Sequence, residues 1–237
     1  MSFFDYTDEE KTYEGFIALN GDSTTKRPCV LVVHAWSGLT EHFCQIAKKL
    51  SNDGYIGFAI DIYGKGIRGK VDGDNSHLMN PLLKNRVLLR DRLLTAFNAA
   101  KNHPLVIPDK IAVLGYCFGG LCALDLARSN PNGLKGAISV HGGLDSNNLY
   151  DNSEKIDGSI LALHGWEDPT VKRESVINFT DEMTVKKADW QIHLYGHAMH
   201  AFTFEGANIP DLGIKYDENA DKRSRQTIDN FLKDIFK

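Results

Sequence analysis

Five short apolar runs constrain this chain more than any other feature: "PCVLVVH" (28–34), "YIGFAID" (55–61), "KIAVLGY" (110–116), "KGAISVH" (135–141) and "SILALHG" (159–165). None of them alternates apolar with polar residues. A strand of that kind has no face meant for water, so it belongs in a parallel sheet covered on both sides. "DWQIHLY" (189–195) is a sixth run, and "YEGFIAL" (13–19) alternates more, as an edge strand does. Helical stretches separate the runs: 41–52 with Thr40 as its N-cap, a segment opening at Asn80-Pro81, one following Cys117, and one near 172–186. The last, 221–236, places Ile228, Phe231, Leu232 and Ile235 on one stripe. Strands alternating with helices predict an α/β fold, a mostly parallel central sheet with helices on both faces. With no repeat, linker or low-complexity segment, residues 1–237 are expected to form a single domain. The glycine-rich, polar stretch 63–77 reads as a surface loop at the rim of a site.

Charge and composition narrow the function classes. The net charge is -4 with no long basic run, which disfavours nucleic acid as a partner. "MSFFDYTDEEKTYEG" has no basic n-region and no long apolar stretch, so no secretory signal is expected. No segment approaches the ~20 apolar residues of a membrane helix. Cys29, Cys44, Cys117 and Cys122 show no C-x-x-C spacing, and are expected to be reduced thiols of a cytoplasmic protein.

In an open parallel sheet, ligands bind beyond the carboxyl ends of the strands. His34, Asp61, Cys117, His141 and His164 each close a run there. Asp168 follows in "HGWEDPTV", and His197 and His200 follow in "YGHAMHAF". Cys117 sits in "GYCFGG" between a strand and a helix, with glycines at 115, 119 and 120. A buried structural cysteine needs no such glycines; a nucleophile held on a strained strand-to-helix turn does. The plainer reading is glycines serving helix packing alone. Cys122, inside the following helix, reads as core. Cys117, Asp168 and a later histidine follow the order nucleophile, acid, base. Glu167 rivals Asp168, and position alone does not choose between His197 and His200. The residue after the nucleophile, Phe118, is expected to give one oxyanion N–H, and the loop after His34 the other.

The segments "LVVHAWSGL", "AIDIYGKG", "GYCFGG", "LHGWEDPTV" and "YGHAMHAF", in order along the chain, resemble the dienelactone hydrolase family. The resemblance implies an α/β-hydrolase fold with a Cys-His-Asp triad. It implies Cys117 as nucleophile, Asp168 as orienter, and His200 as base, because His200 is the histidine followed by Ala201-Phe202. It puts the second oxyanion donor at Trp36 and leaves His197 at the rim. Ala35, Tyr63, Phe202 and Phe204 are the pocket residues expected on this basis, with loops 63–77, 143–157 and 203–219 shaping the pocket. Two departures stand out. Many members carry a glutamate at the position of Ala35, where it acts on the resting cysteine. Where dienelactone-specific members hold the substrate carboxylate with an arginine, this chain has Phe204, and Arg68, Arg86 and Arg90 are not matched to a clamp. The expectation is a cysteine hydrolase of a small ester, lactone or thioester, with an acyl-enzyme intermediate and no cofactor or metal, as a monomer or weak homodimer. Two other classes remain: a binding or sensor protein on a silenced fold, favoured by Ala35, and a metal site built from His34, His141, His164, His197 and His200. The second lacks a compact ligand motif such as H-E-x-x-H.

Overall fold

Strands run from β1 (Ser2–Thr7), β2 (Thr12–Ala18), β3 (Arg27–Val33), β4 (Ile56–Ile60) and β5 (Val106–Tyr116) to β6 (Leu134–Val140), β7 (Ser159–Gly165) and β8 (Trp190–Tyr195). The computed structural model describes residues 1–21, 24–147, 149–150 and 155–237. These eight strands form one sheet in the order β1-β2-β4-β3-β5-β6-β7-β8. The six from β4 to β8 pair in parallel, and β1 and β2 add an antiparallel hairpin at one edge. Among the described residues six helices cover it: α1 (Glu41–Asn52), α2 (Ser76–Lys84), α3 (Arg86–Lys101), α4 (Phe118–Arg128), α5 (Arg173–Val185) and α6 (Glu218–Ile235).

The unbroken apolar runs sort their residues to two faces. Leu31, Val33, Phe58, Ile60, Ile111 and Val113 pack on one side with Leu89, Leu93 and Phe97 of α3, Leu124 of α4 and Phe179 of α5. Val30, Val32, Leu114, Ile138, Val140 and Leu163 pack on the other with Phe43 and Ala47 of α1 and Phe231 and Leu232 of α6. Successive side chains of a strand point to opposite faces. That is why a two-sided core demands continuous apolar runs.

Several expectations are corrected. Residues 13–19 are not the edge: β1 flanks them, so β2 is an interior strand with Tyr13 and Ala18 fully buried. The helix expected at Asn80-Pro81 starts earlier, at Ser76, with Pro81 inside it. Its true break is Asn85, whose side chain accepts the Leu88 N–H and opens α3. Thr40 has the extended backbone of an N-cap, but its side chain makes no capping bond. The last helix begins three residues early, because Asp217 accepts the Ala220 N–H. Within 203–219 lie two short strands, β9 (Asn208–Ile209) and β10 (Ile214–Lys215), joined through a single 3-10 turn. Of the expected loop 143–157, residues 148 and 151–154 lie outside the described residues. Among the described residues no helix is long and apolar enough to cross a membrane.

Candidate active site

Cys117 joins β5 to α4 with φ 55 and ψ -117, a left-handed conformation that side chains other than glycine rarely adopt. The turn closes only because its neighbours are small. A Cβ on Gly115 would lie 1.8 Å from the Gly119 carbonyl oxygen, and one on Gly119 would lie 2.3 Å from the Val33 carbonyl oxygen. The helix can therefore start directly on the ends of β3 and β5, with Cys117 half-exposed above them.

His200 stands over the cysteine. Its Nε2 is 3.1 Å from Cys117 Sγ, and its Nδ1–H donates to Asp168 Oδ2 at 2.7 Å. The other oxygen of Asp168 accepts from the Thr170 N–H at 2.8 Å and the Thr170 hydroxyl at 2.6 Å. Burial alone would raise the Asp168 carboxyl, but His200 and the Thr170 bonds hold it below its usual range. Burial likewise opposes a charge on His200. The negative charge of Cys117 and the bonds to Asp168 and Cys117 outweigh it and push the imidazole up to about 10. The His200 backbone is clamped by the β9–β10 hairpin: its N–H donates to the Gly213 carbonyl at 2.8 Å, and its carbonyl accepts from Lys215 at 3.1 Å.

The two rivals named from sequence pair with each other instead. His197 Nδ1 lies 3.0 Å from Glu167 Oε1, with 94% of the His197 side chain exposed. The structure thus brings Cys117, Asp168 and His200 together and leaves Glu167 and His197 on the surface.

The loop after β3 is held by His34, which is fully buried. Its Nε2 faces the Ile62 N–H at 3.3 Å, so it must accept there; the proton then sits on Nδ1 and goes to the Ala35 carbonyl at 2.7 Å. The Gly38 N–H reaches the same carbonyl at 3.1 Å. In a trans peptide the N–H points opposite to the C=O, so fixing the Ala35 carbonyl fixes the direction of the Trp36 N–H. Tyr63 links this loop to the other expected donor. Its hydroxyl donates to the Trp36 carbonyl at 3.0 Å, and its ring stacks on that of Phe118 at 6.2 Å. Phe118 is the first residue of α4, where a helix leaves its N–H groups without intrahelical partners.

The expected pocket residues are placed less uniformly. Tyr63 is buried beside the elbow. Phe202 does not line a pocket: it is 0% exposed and packs in the core against His141 and Tyr195, since the left-handed turn at Ala201 directs it inward. Phe204 lies against His42 of α1, half-exposed. Ala35 packs toward the cluster under α1 and α6, whereas Trp36 and Cys117 pack against the opposite one. Each arginine of the expected clamp region faces a carboxylate: Arg68 with Asp61, Arg86 with Asp125, and Arg90 with Asp91. Among the described residues no group of three or more His, Cys, Asp or Glu is placed to hold a metal ion. Sequence reasoning missed Thr170 and the hairpin 208–215, which support Asp168 and His200. A Thr two positions after an Asp is a common turn pattern and carries no signal by itself.

Comparison with known proteins bears on the family and the fold. The model of the dienelactone hydrolase family matches residues 14–236. An uncharacterized Caenorhabditis elegans protein is 40% identical over 149 residues, covering 62% of this chain and 94% of its own. A putative carboxymethylenebutenolidase of Yersinia pestis is 29% identical over 197 residues, covering 79% of this chain and 73% of its own. Among solved structures, a dienelactone hydrolase-like promiscuous phosphotriesterase from metagenomic libraries superposes with a TM-score of 0.91 at 30% identity, covering 100% of this chain and 98% of that one.

Proposed function

The chain belongs to the dienelactone hydrolase family, and on that premise we propose that it hydrolyses a small ester, lactone or thioester with Cys117 as nucleophile. The observation that carries the reading is the pair of contacts from His200, 3.1 Å to Cys117 Sγ and 2.7 Å to Asp168. Cys117 Sγ attacks the acyl carbonyl. The N–H groups of Phe118 and Trp36 hold the oxyanion as the tetrahedral intermediate forms. His200, carrying the imidazolium proton, gives it to the leaving oxygen or sulfur, leaving a thioester on Cys117. Neutral His200 then takes a proton from water as that water attacks, and the thiolate leaves with the imidazolium restored. Asp168 keeps the ring in the tautomer that this sequence needs.

The substrate reading follows from what surrounds the site. Arg68, Arg86 and Arg90 are each committed to a carboxylate of the protein. This supports an uncharged acyl group rather than a lactone bearing its own carboxylate. The test is a panel of p-nitrophenyl esters, enol-lactones, thioesters and a phosphotriester, run on wild type and Cys117→Ala. Turnover of at least one acyl substrate, lost in Cys117→Ala, with a covalent acyl mass on the Cys117 peptide after quenching, is the expected result. Unchanged turnover in Cys117→Ala overturns the mechanism. Silence across the panel favours a binding protein on the same fold.

A further inference from the structure

We propose that His141 is a positioning residue that ties the Cys117 elbow to the loop carrying His200, an inference that rests on the roles of Cys117 and His200 given above. Cys117 and His200 are 83 residues apart in sequence, yet the chemistry needs Sγ and Nε2 at 3.1 Å. The elbow is set by β5 and α4, and the histidine loop by β8 and the hairpin beyond it. A small shift of one against the other would open the contact.

His141 follows β6 between these two loops, 3% exposed, and bonds both. Its Nδ1 lies 3.2 Å from the Cys117 backbone N, and its Nε2 lies 2.9 Å from Thr203 Oγ1, three residues past His200. A backbone N–H only donates, and the Cys117 N–H is shared between the Val140 carbonyl at 3.0 Å and this ring. Nδ1 must therefore carry the lone pair, which puts the ring proton on Nε2 and makes Thr203 Oγ1 its acceptor. The ring stays neutral: burial first, and the neighbouring His200 charge second, depress its pKa well below the usual histidine value. A proton on Nδ1 would set two donors face to face.

The pose is costly and specific. His141 has φ 40, a left-handed conformation outside the usual range for a residue with a side chain. Its own N–H donates to the Leu163 carbonyl at 2.8 Å, so the backbone is pinned between β6 and β7. Its ring stands 5.2 Å from that of His200, edge to face, and 5.2 Å from that of Phe202. The fully buried Phe202 thus backs the ring from the histidine loop itself.

Thr203 offers the mildest test. Thr203→Val keeps the shape but leaves Nε2–H without an acceptor. The tautomer with its proton on Nδ1 then competes, and that proton meets the Cys117 N–H. The expected result is a fall in kcat of about five- to tenfold, with KM within about twofold and a matching fall in the rate of Cys117 alkylation by iodoacetamide at pH 7. Thr203→Ser restores the hydroxyl and should restore both rates. A second series covers the other end of the ring. His141→Asn keeps an acceptor near the Nδ1 position but does not reach Thr203, and His141→Leu loses both bonds, so kcat should fall in the order wild type, Asn, Leu. Wild-type kcat and alkylation rate in Thr203→Val overturn the proposal, as does an equal loss in Thr203→Ser. If Thr203→Val does not fold, equal kcat in His141→Asn and His141→Leu overturns it. Cys117→Ala, run alongside, separates the two levels. Retained turnover there removes the underlying mechanism, whereas a dead Cys117→Ala with an unaffected Thr203→Val removes only the role of His141.

Discussion

Replacing His34 by glutamine should flatten the acid side of the stability curve. His34 is fully buried, and burial, opposed by its bond to Ala35 and the charge of Asp61, lowers its pKa from 6.5 to about 4. In the unfolded chain the imidazole binds a proton below 6.5, whereas the folded protein does not until near 4. Its folded pKa is depressed, so the stability tied to this group is complete above 6.5, drains away as pH falls through the window, and changes no further below 4. The width is 6.5 minus 4, or 2.5 pH units. At ~1.36 kcal/mol per unit, this one side chain contributes about 3 kcal/mol of acid sensitivity. His42, His103, His141 and His164 are also held below the usual value, chiefly by burial, and steepen the curve further. They are common to wild type and variant and cancel in the comparison. The assay is urea unfolding at constant ionic strength in steps from pH 7 to pH 4. Glutamine can still bond the Ile62 N–H or the Ala35 carbonyl but does not titrate. His34→Gln is expected to be less stable than wild type at pH 7, with the gap narrowing by about 3 kcal/mol toward pH 4. Parallel curves would refute the reasoning, because they would mean that folding does not exclude the proton from His34. Through most of that window the folded protein keeps His34 neutral, so hydrolysis by wild type should lose this loop's support only as pH approaches 4, where a proton on Nε2 opposes the Ile62 N–H and loosens the loop that aims the Trp36 N–H.

Other outcomes follow from the same geometry. His200→Ala should lower kcat by about three orders of magnitude or more, while His197→Ala, removing only an exposed pair with Glu167, should leave kcat within about twofold; steady-state kinetics on the two variants checks this. Asp168→Asn should cost about 10³–10⁴ in kcat with little change in KM, because the amide favours the wrong His200 tautomer. His200→Gln should slow alkylation of Cys117 at neutral pH, since Sγ loses the ring nitrogen 3.1 Å away that takes its proton, and mass spectrometry of the modified peptide reads this directly. Gly115→Ala places a Cβ 1.8 Å from the Gly119 carbonyl oxygen and should destabilise the fold by about 3 kcal/mol or more, seen as a lower urea midpoint.

Much of the architecture was legible because it is local. Runs such as "VLVV" (30–33) are apolar at every position, and only a strand buried on both faces uses such a run. The elbow was legible for a like reason: Gly115, two before Cys117, clears the Gly119 carbonyl of the same turn, 1.8 Å from where its Cβ would lie, although the need for Gly119 is tertiary, since its Cβ would lie 2.3 Å from the Val33 carbonyl of β3. The edge strand β1 was not legible. Phe3 is 60% exposed while Tyr6 is buried, and a short hairpin strand gets its reason to be extended from its partner, not from its own residues. Pro81 misled for a related reason. A proline at the first turn is the common case, but a short helix that ends three residues later tolerates one inside.

The sequence by itself determined the chemistry available here: a cysteine on a strained turn, acids and histidines after later strands, and their order along the chain. Order and spacing did not decide which acid meets which histidine; only the resemblance implied Asp168 and His200. Glu167 and Asp168 are adjacent, and His197 and His200 share one loop, so composition and spacing treat them alike. Tertiary structure separates them. Left-handed turns at His197 and Ala201, and the β9–β10 clamp on the His200 backbone, turn one histidine outward and the other inward. Asp168, capped by Thr170, is buried to meet His200 at 2.7 Å, while Glu167 stays in water with His197. The tautomers of His34 and His141 were settled the same way. A ring nitrogen accepts or donates according to the group that faces it, and those groups, the N–H of Ile62 and the N–H of Cys117, come from 28 and 24 residues away. Only the packed sheet brings them within reach.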